Sequence, residues 1–133
     1  MRRLALPLML VLAMAVAACG GDSASDDIAK AYNGFAHDVV TSDFAGACKR
    51  MTSAAQEDVL AAGKALSGGT SKSCGDALES TMQLLDKGDL EALGKKVDSS
   101  TVKVTGDIAT VQANGNKASF ARQDGRWLVS TGP

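Results

Sequence analysis

The hydrophobic pattern of this chain changes period once, near Val97, and that change constrains the fold more than any other feature. Upstream, apolar residues recur at helical spacing. Downstream, they alternate. Val102 and Val104 alternate with Thr101, Lys103 and Thr105, and Gly106-Asp107 then turns the chain. Residues 108–113 (IATVQA) form a second alternating run, and Asn114-Gly115 is the favoured two-residue hairpin signal. Residues 117–122 (KASFAR), the turn Asp124-Gly125 and residues 126–130 (RWLVS) complete the series. Four strands joined by tight turns predict an antiparallel meander.

The segment before this meander reads as helices. In residues 26–40, Ile28, Tyr32, Phe35 and Val39 share one apolar arc, with Lys30, Asn33, His37 and Thr41 opposite. Asp26 and Asp27 suit the positive end of a helix that starts there. Ser42 is expected to cap a short helix over 43–51, with Phe44, Cys48 and Met51 on its stripe. Ser53-Ala54-Ala55-Gln56 is a capping-box pattern opening a third helix through Leu66. Residues 67–73 (SGGTSKS) read as a flexible loop. A fourth helix is expected over 74–86, with Gly88 as its stop, and one more short turn over 89–93. Helices followed by a meander predict an α+β domain over residues 26–133, its N-terminal helices packed on one face of a curved four-stranded antiparallel sheet.

The first residues have a different character. Met1-Arg2-Arg3 is a short basic stretch, residues 4–16 (LALPLMLVLAMAV) are apolar, and Val16-Ala17-Ala18-Cys19 follows. The layout is that of an export signal and is short for a spanning helix, which needs ~20 apolar residues. The last four residues resemble the lipobox of bacterial lipoproteins. That resemblance implies a signal peptide over 1–18, a diacylglyceryl group on Cys19 and attachment to the outer face of a bacterial membrane. Two acyl chains suffice for stable anchoring where one does not. Residues 19–25 then read as the lipidated Cys and a polar, flexible tether. An ordinary signal peptide cut after an Ala is the alternative. Without Arg2 and Arg3 the chain carries three more acidic than basic side chains, so lipid rather than charge would hold it to an anionic membrane.

Cysteine usage fits an exported protein. The chain has three Cys, and assigning Cys19 to lipid leaves Cys48 and Cys74 as a pair. Both fall on apolar stripes, so a disulfide between two packed helices is expected. The alternative is two reduced, buried thiols. There is no C-x-x-C, and His37 is the only imidazole, so no metal site is expected. Near-balanced charge and 4% aromatic residues argue against nucleic acid as a partner.

The residues Ala31-Tyr32 with Phe35, Ser42-Asp43-Phe44, Ala47-Cys48, Met51-Thr52, Val102-Lys103-Val104, Gly106-Asp107 with Ala109-Thr110-Val111, and Asp124-Gly125-Arg126-Trp127 carry a wider likeness. Their order and spacing resemble the NTF2-like superfamily, within it small bacterial envelope lipoproteins. The resemblance implies a cystatin-like cone in which helices cover a bent sheet and enclose a pocket. Dimers are common in that superfamily, so a homodimer is an open expectation. This chain has more helix in its middle and fewer strands than the fuller pattern.

Some proteins of this type are isomerases, cyclases and dehydratases that use an acid or His as general base and a Tyr or second acid as oxyanion donor. Here His37 falls opposite the apolar arc, Asp43 begins a helix and Asp124 lies in a turn. No catalytic set and no cofactor is therefore expected. Tyr32 lies on the core side, where its phenol could reach a pocket. Alternation puts Arg122 on the face of Phe120, near a rim, where it could bind a carboxylate or phosphate. Gln112 alternates with Val111 and is ambiguous. Tyr32, Gln112 and Arg122 are thus the candidate ligand-binding residues. The expected role is a non-catalytic, anchored binding module for a small apolar ligand or an envelope protein. A structural envelope protein without a pocket, or an enzyme of cyclase or isomerase type, are the alternatives.

Overall fold

The computed structural model describes residues 21–132. The expected signal peptide and the Cys19 attachment point lie outside the described residues. Helices come first and a sheet follows: α1 (Gly21–Val40), α2 (Phe44–Lys49), α3 (Ser53–Leu66), α4 (Cys74–Met82) and α5 (Lys87–Leu93), a 3-10 turn at Ser99–Thr101, then β1 (Val102–Thr105), β2 (Ile108–Ala113), β3 (Asn116–Gln123) and β4 (Arg126–Ser130). The strands pair in the order β1-β2-β3-β4, all antiparallel, in an open sheet. The α+β arrangement with helices N-terminal to a four-stranded meander is the one expected.

The register explains which face is buried. Ala109 stands opposite Phe120, Val111 opposite Ala118, and Phe120 opposite Val129. Alternation puts these residues on one face, and α1 lays Ile28, Tyr32 and Ala36 against it. Ile28, Val111 and Phe120 are fully buried there. A second cluster, of Val39, Ala47, Cys48, Met51, Ala55 and Leu78, joins α1 to α2, α3 and α4. The two halves are stitched at the β4 edge: Thr52 N–H donates to Val129 O at 2.9 Å, and Val129 N–H donates to Arg50 O at 2.8 Å. Met51 thereby bridges the sheet in parallel fashion beside β4.

The disulfide is present, joining Cys48 of α2 to Cys74 at the start of α4. It ties together helices whose own apolar faces are short.

Several boundaries differ from expectation, each for a local reason. Residues 21–25, expected as tether, belong to α1. Nothing in Asp22-Ser23-Ala24-Ser25 breaks a helix, so Asp26 and Asp27 fall inside it rather than in its first turn. Asp43, not Ser42, caps α2, accepting from Gly46 N–H at 2.9 Å, while Ser42 takes a positive φ of 63°. Thr52, not Ser53, caps α3 by accepting from Ala55 N–H at 3.1 Å. The expected fourth helix over 74–86 ends at Met82, and the short turn expected over 89–93 is a helix that starts at Lys87, capped by Asp86, which accepts from Asp89 N–H at 2.8 Å. Gly88 therefore sits inside α5 and stops nothing. The 67–73 loop is also tied: Ser71 is buried, its N–H donates to Ser67 Oγ, and the two hydroxyls lie 3.0 Å apart.

Candidate functional site

The cleft that best fits a ligand lies between the helical half and the β2–β3 hairpin end of the sheet. Its volume is about 440 Å³, inside the range of ~300–1,000 Å³ usual for small-molecule sites. α1 contributes Tyr32 and Phe35, the end of α4 and the turn after it contribute Met82 and Leu85, and the sheet contributes Ala113, Ala118, Phe120 and Val129. Small side chains at 113 and 118 leave the space that larger ones on the same register would fill. α5 closes one side with Asp89, Ala92 and Leu93, and Asn114, Asn116 and Lys117 of the hairpin complete the lining.

The hairpin and α5 are connected directly. Asn114 takes the positive φ of 52° that the tight turn requires, and its Nδ2 donates to Ala92 O at 2.6 Å. Behind α5, Asn33 of α1 holds Val97 with two hydrogen bonds: its Nδ2 donates to Val97 O and its Oδ1 accepts from Val97 N–H, both at 2.9 Å. These polar contacts fix both sides of a helix that buries no residue completely.

Tyr32 is the most buried of the polar residues that line the cleft. The residue is 5% exposed. Its hydroxyl makes no protein hydrogen bond, and no fully buried side-chain polar atom among the described residues lacks a partner. The hydroxyl is therefore not fully buried, on a residue that lines the cleft. Burial raises the phenol above its ordinary pKa of 10.0, so it stays protonated and able to donate at neutral pH.

The three candidate binding residues are not brought together. Tyr32 lines the cleft. Arg122 shares the inner face with Phe120, as alternation implied, but it stands opposite Trp127 toward the other end of the strand, exposed. Its N–H donates to Asp107 O at 2.8 Å. Gln112 is exposed on the outer face, opposite Lys117. His37 is exposed as well. Asp43 is a cap. Met82, Leu85, Asp89, Asn114 and Asn116 were not singled out from the sequence. The first two were legible only as an apolar helix stripe, and Asn114 only as a turn residue.

The titratable side chains on the cleft are Tyr32, Asp89 and Lys117. Among the described residues, no group of three or more His, Cys, Asp or Glu is placed to hold a metal ion, and no helix is long and apolar enough to cross a membrane. No family model, curated protein or solved structure matches the chain.

Proposed function

We propose that this chain is a lipid-anchored, extracytoplasmic binding module that holds a small apolar ligand in the cleft beside Tyr32 and does no chemistry on it. The observation that carries the reading is the cleft itself: about 440 Å³, walled by Phe35, Met82, Leu85 and Phe120, with Tyr32 in its lining. Apolar walls supply affinity, and a few polar groups of the lining, Tyr32, Asn116 and Lys117 among them, fix orientation. The lipobox resemblance at Val16-Ala17-Ala18-Cys19 supports the anchor. The NTF2-like likeness belongs to the same proposal and is supported by helices preceding a four-stranded meander.

Binding of an apolar fluorescent dye, with displacement by candidate ligands, tests the site. Ala118→Trp fills the cleft and abolishes dye binding. Tyr32→Phe weakens a donor-dependent ligand by about three- to tenfold. Arg122→Ala changes neither. Dye affinity unaffected by Ala118→Trp overturns the assignment. Intact mass of the protein from its membrane tests the anchor: a chain that begins at Cys19 with a diacylglyceryl increment supports it, and an unmodified thiol there refutes it.

A further inference from the structure

All 15 acidic side chains of this protein lie outside the strands. The strands carry Lys103, Lys117, Arg122 and Arg126 and no carboxylate. Arg122 is on the inner face with Phe120, whereas the other three fall on the outer face, turned away from α1. All three are exposed, and among the described residues none of them is in an ion pair. Asp107 and Asp124 sit in turns at one end of the sheet, beyond the strands. A chain with more acids than bases therefore presents one sheet face whose charges are all positive.

The register orders this face in rows. Lys103, Thr110, Ser119 and Ser130 stand side by side across the four strands, and Thr105, Ile108, Ala121 and Leu128 form the next row. Arg126 follows beyond Leu128, opposite Gln123, and Lys117 lies at the other end, opposite Gln112. An apolar strip centred on Ile108, 46% exposed, runs between cations and neutral hydrogen-bonding side chains. An apolar centre within a polar rim is the anatomy of a protein-docking surface. Phe120 and Trp127, the aromatic residues of the strands, are on the inner face, so nothing on the outer one can stack on a base.

Rows on one face are ~6.6 Å apart and strands ~4.8 Å, which puts Lys103 and Arg126 ~20 Å apart. One small anion cannot meet both. The same spacings give the face roughly 400 Å², so a complex buries about 800 Å² in total, short of the ~1,200 Å² of a stable interface. A second copy docked face to face would oppose cations to cations. The complementary occupant is a protein with carboxylates around an apolar spot, steered by charge and held weakly.

We propose that the outer face of the sheet is the docking surface for an acidic partner protein, in a transient, salt-sensitive contact. The proposal is independent of the cleft. The probe is a random copolymer of glutamate and tyrosine, titrated into the isotope-labelled protein and followed by backbone amide shifts. Shifts are expected at Lys103, Ile108, Ser119 and Leu128, and should vanish in about 0.5 M NaCl. Lys103→Glu with Arg126→Glu weakens binding by about tenfold or more, and Lys103→Gln with Arg126→Gln weakens it less. Lys64→Glu with Lys72→Glu makes the same change of charge at exposed positions of the helical half and leaves affinity within about twofold. Unchanged thermal melting of each variant separates a lost surface from a lost fold. Shifts confined to the helices, or an equal loss in the two glutamate variants, overturn the surface. Binding to phosphatidylglycerol vesicles through the same cations, with none to the copolymer, overturns the protein partner in favour of a membrane.

Discussion

Asn33 and Val97, 64 positions apart, are joined by two hydrogen bonds of 2.9 Å in which the side-chain amide of one imitates a strand partner for the other. The pairing closes the helical half onto the segment that leads into the sheet, and it fixes the end of α5 that borders the cleft. Asn33→Ala leaves a part-buried Val97 N–H and C=O without these partners. A loss of about 1–3 kcal/mol is expected in urea unfolding. Asn33→Asp retains the acceptor but not the donor, and should recover only part of that loss. Equal stability for Asn33→Ala and the parent would show that water replaces the amide at no cost.

The disulfide closes a loop of 26 positions between α2 and α4. Chain entropy alone assigns about 3.5 kcal/mol to that closure. The paired substitution Cys48→Ala, Cys74→Ala should lower the unfolding free energy by an amount of this order. Fluorescence of Trp127, the only tryptophan, reports the transition.

Gly63 and Gly75 should respond oppositely to Ala. Gly63 is buried in α3 where it meets α4, and a Cβ there would collide with the Ala77 side chain. The helices must separate, so Gly63→Ala should cost about 1–3 kcal/mol. At Gly75 an added Cβ would lie 3.6 Å from Ala45 N, an ordinary contact. There the helix propensity of Ala can act, with an effect from zero to about 1 kcal/mol of stabilisation. Thermal melting of the two variants checks the contrast.

Tyr32 is the only tyrosine, so phenolate absorbance follows it alone. Burial raises its pKa in the folded state above 10.0. The unfolded chain then gives up the proton first. The contribution of the neutral phenol is complete below pH ~10 and is lost as pH rises through the folded value. Unfolding free energy should fall with pH in this alkaline window, and Tyr32→Phe should remove that part of the slope. An apolar ligand that covers the hydroxyl should push the absorbance transition higher still.

The period change near Val97, the Asn114-Gly115 hairpin and the apolar arc of Ile28, Tyr32, Phe35 and Val39 made the order of elements and most of the core legible in the sequence. Helix starts were less so. Three acceptors, Asp43, Thr52 and Asp86, each cap a helix one or more positions from the expected start, because several Ser, Thr and Asp neighbours compete for the same role. Of the cleft's lining, Tyr32 was legible as a candidate ligand contact, and Phe35 and Phe120 only as core residues. Its other walls come from Met82, Leu85 and the small Ala113 and Ala118, whose proximity depends on how α4, α5 and the sheet pack. Arg122 shows the limit of alternation: the face was readable, whereas its distance along the strand from the cleft depended on where the helices sit.

The central claim is that an apolar ligand lies beside the Tyr32 ring. NMR on the protein with labelled tyrosine and a bound straight-chain amphiphile measures this directly, since a single ring is observed. The account predicts intermolecular NOEs between that ring and the aliphatic protons of the ligand, lost in Ala118→Trp. Saturating binding with no NOE to the ring, and unchanged by Ala118→Trp, would contradict it.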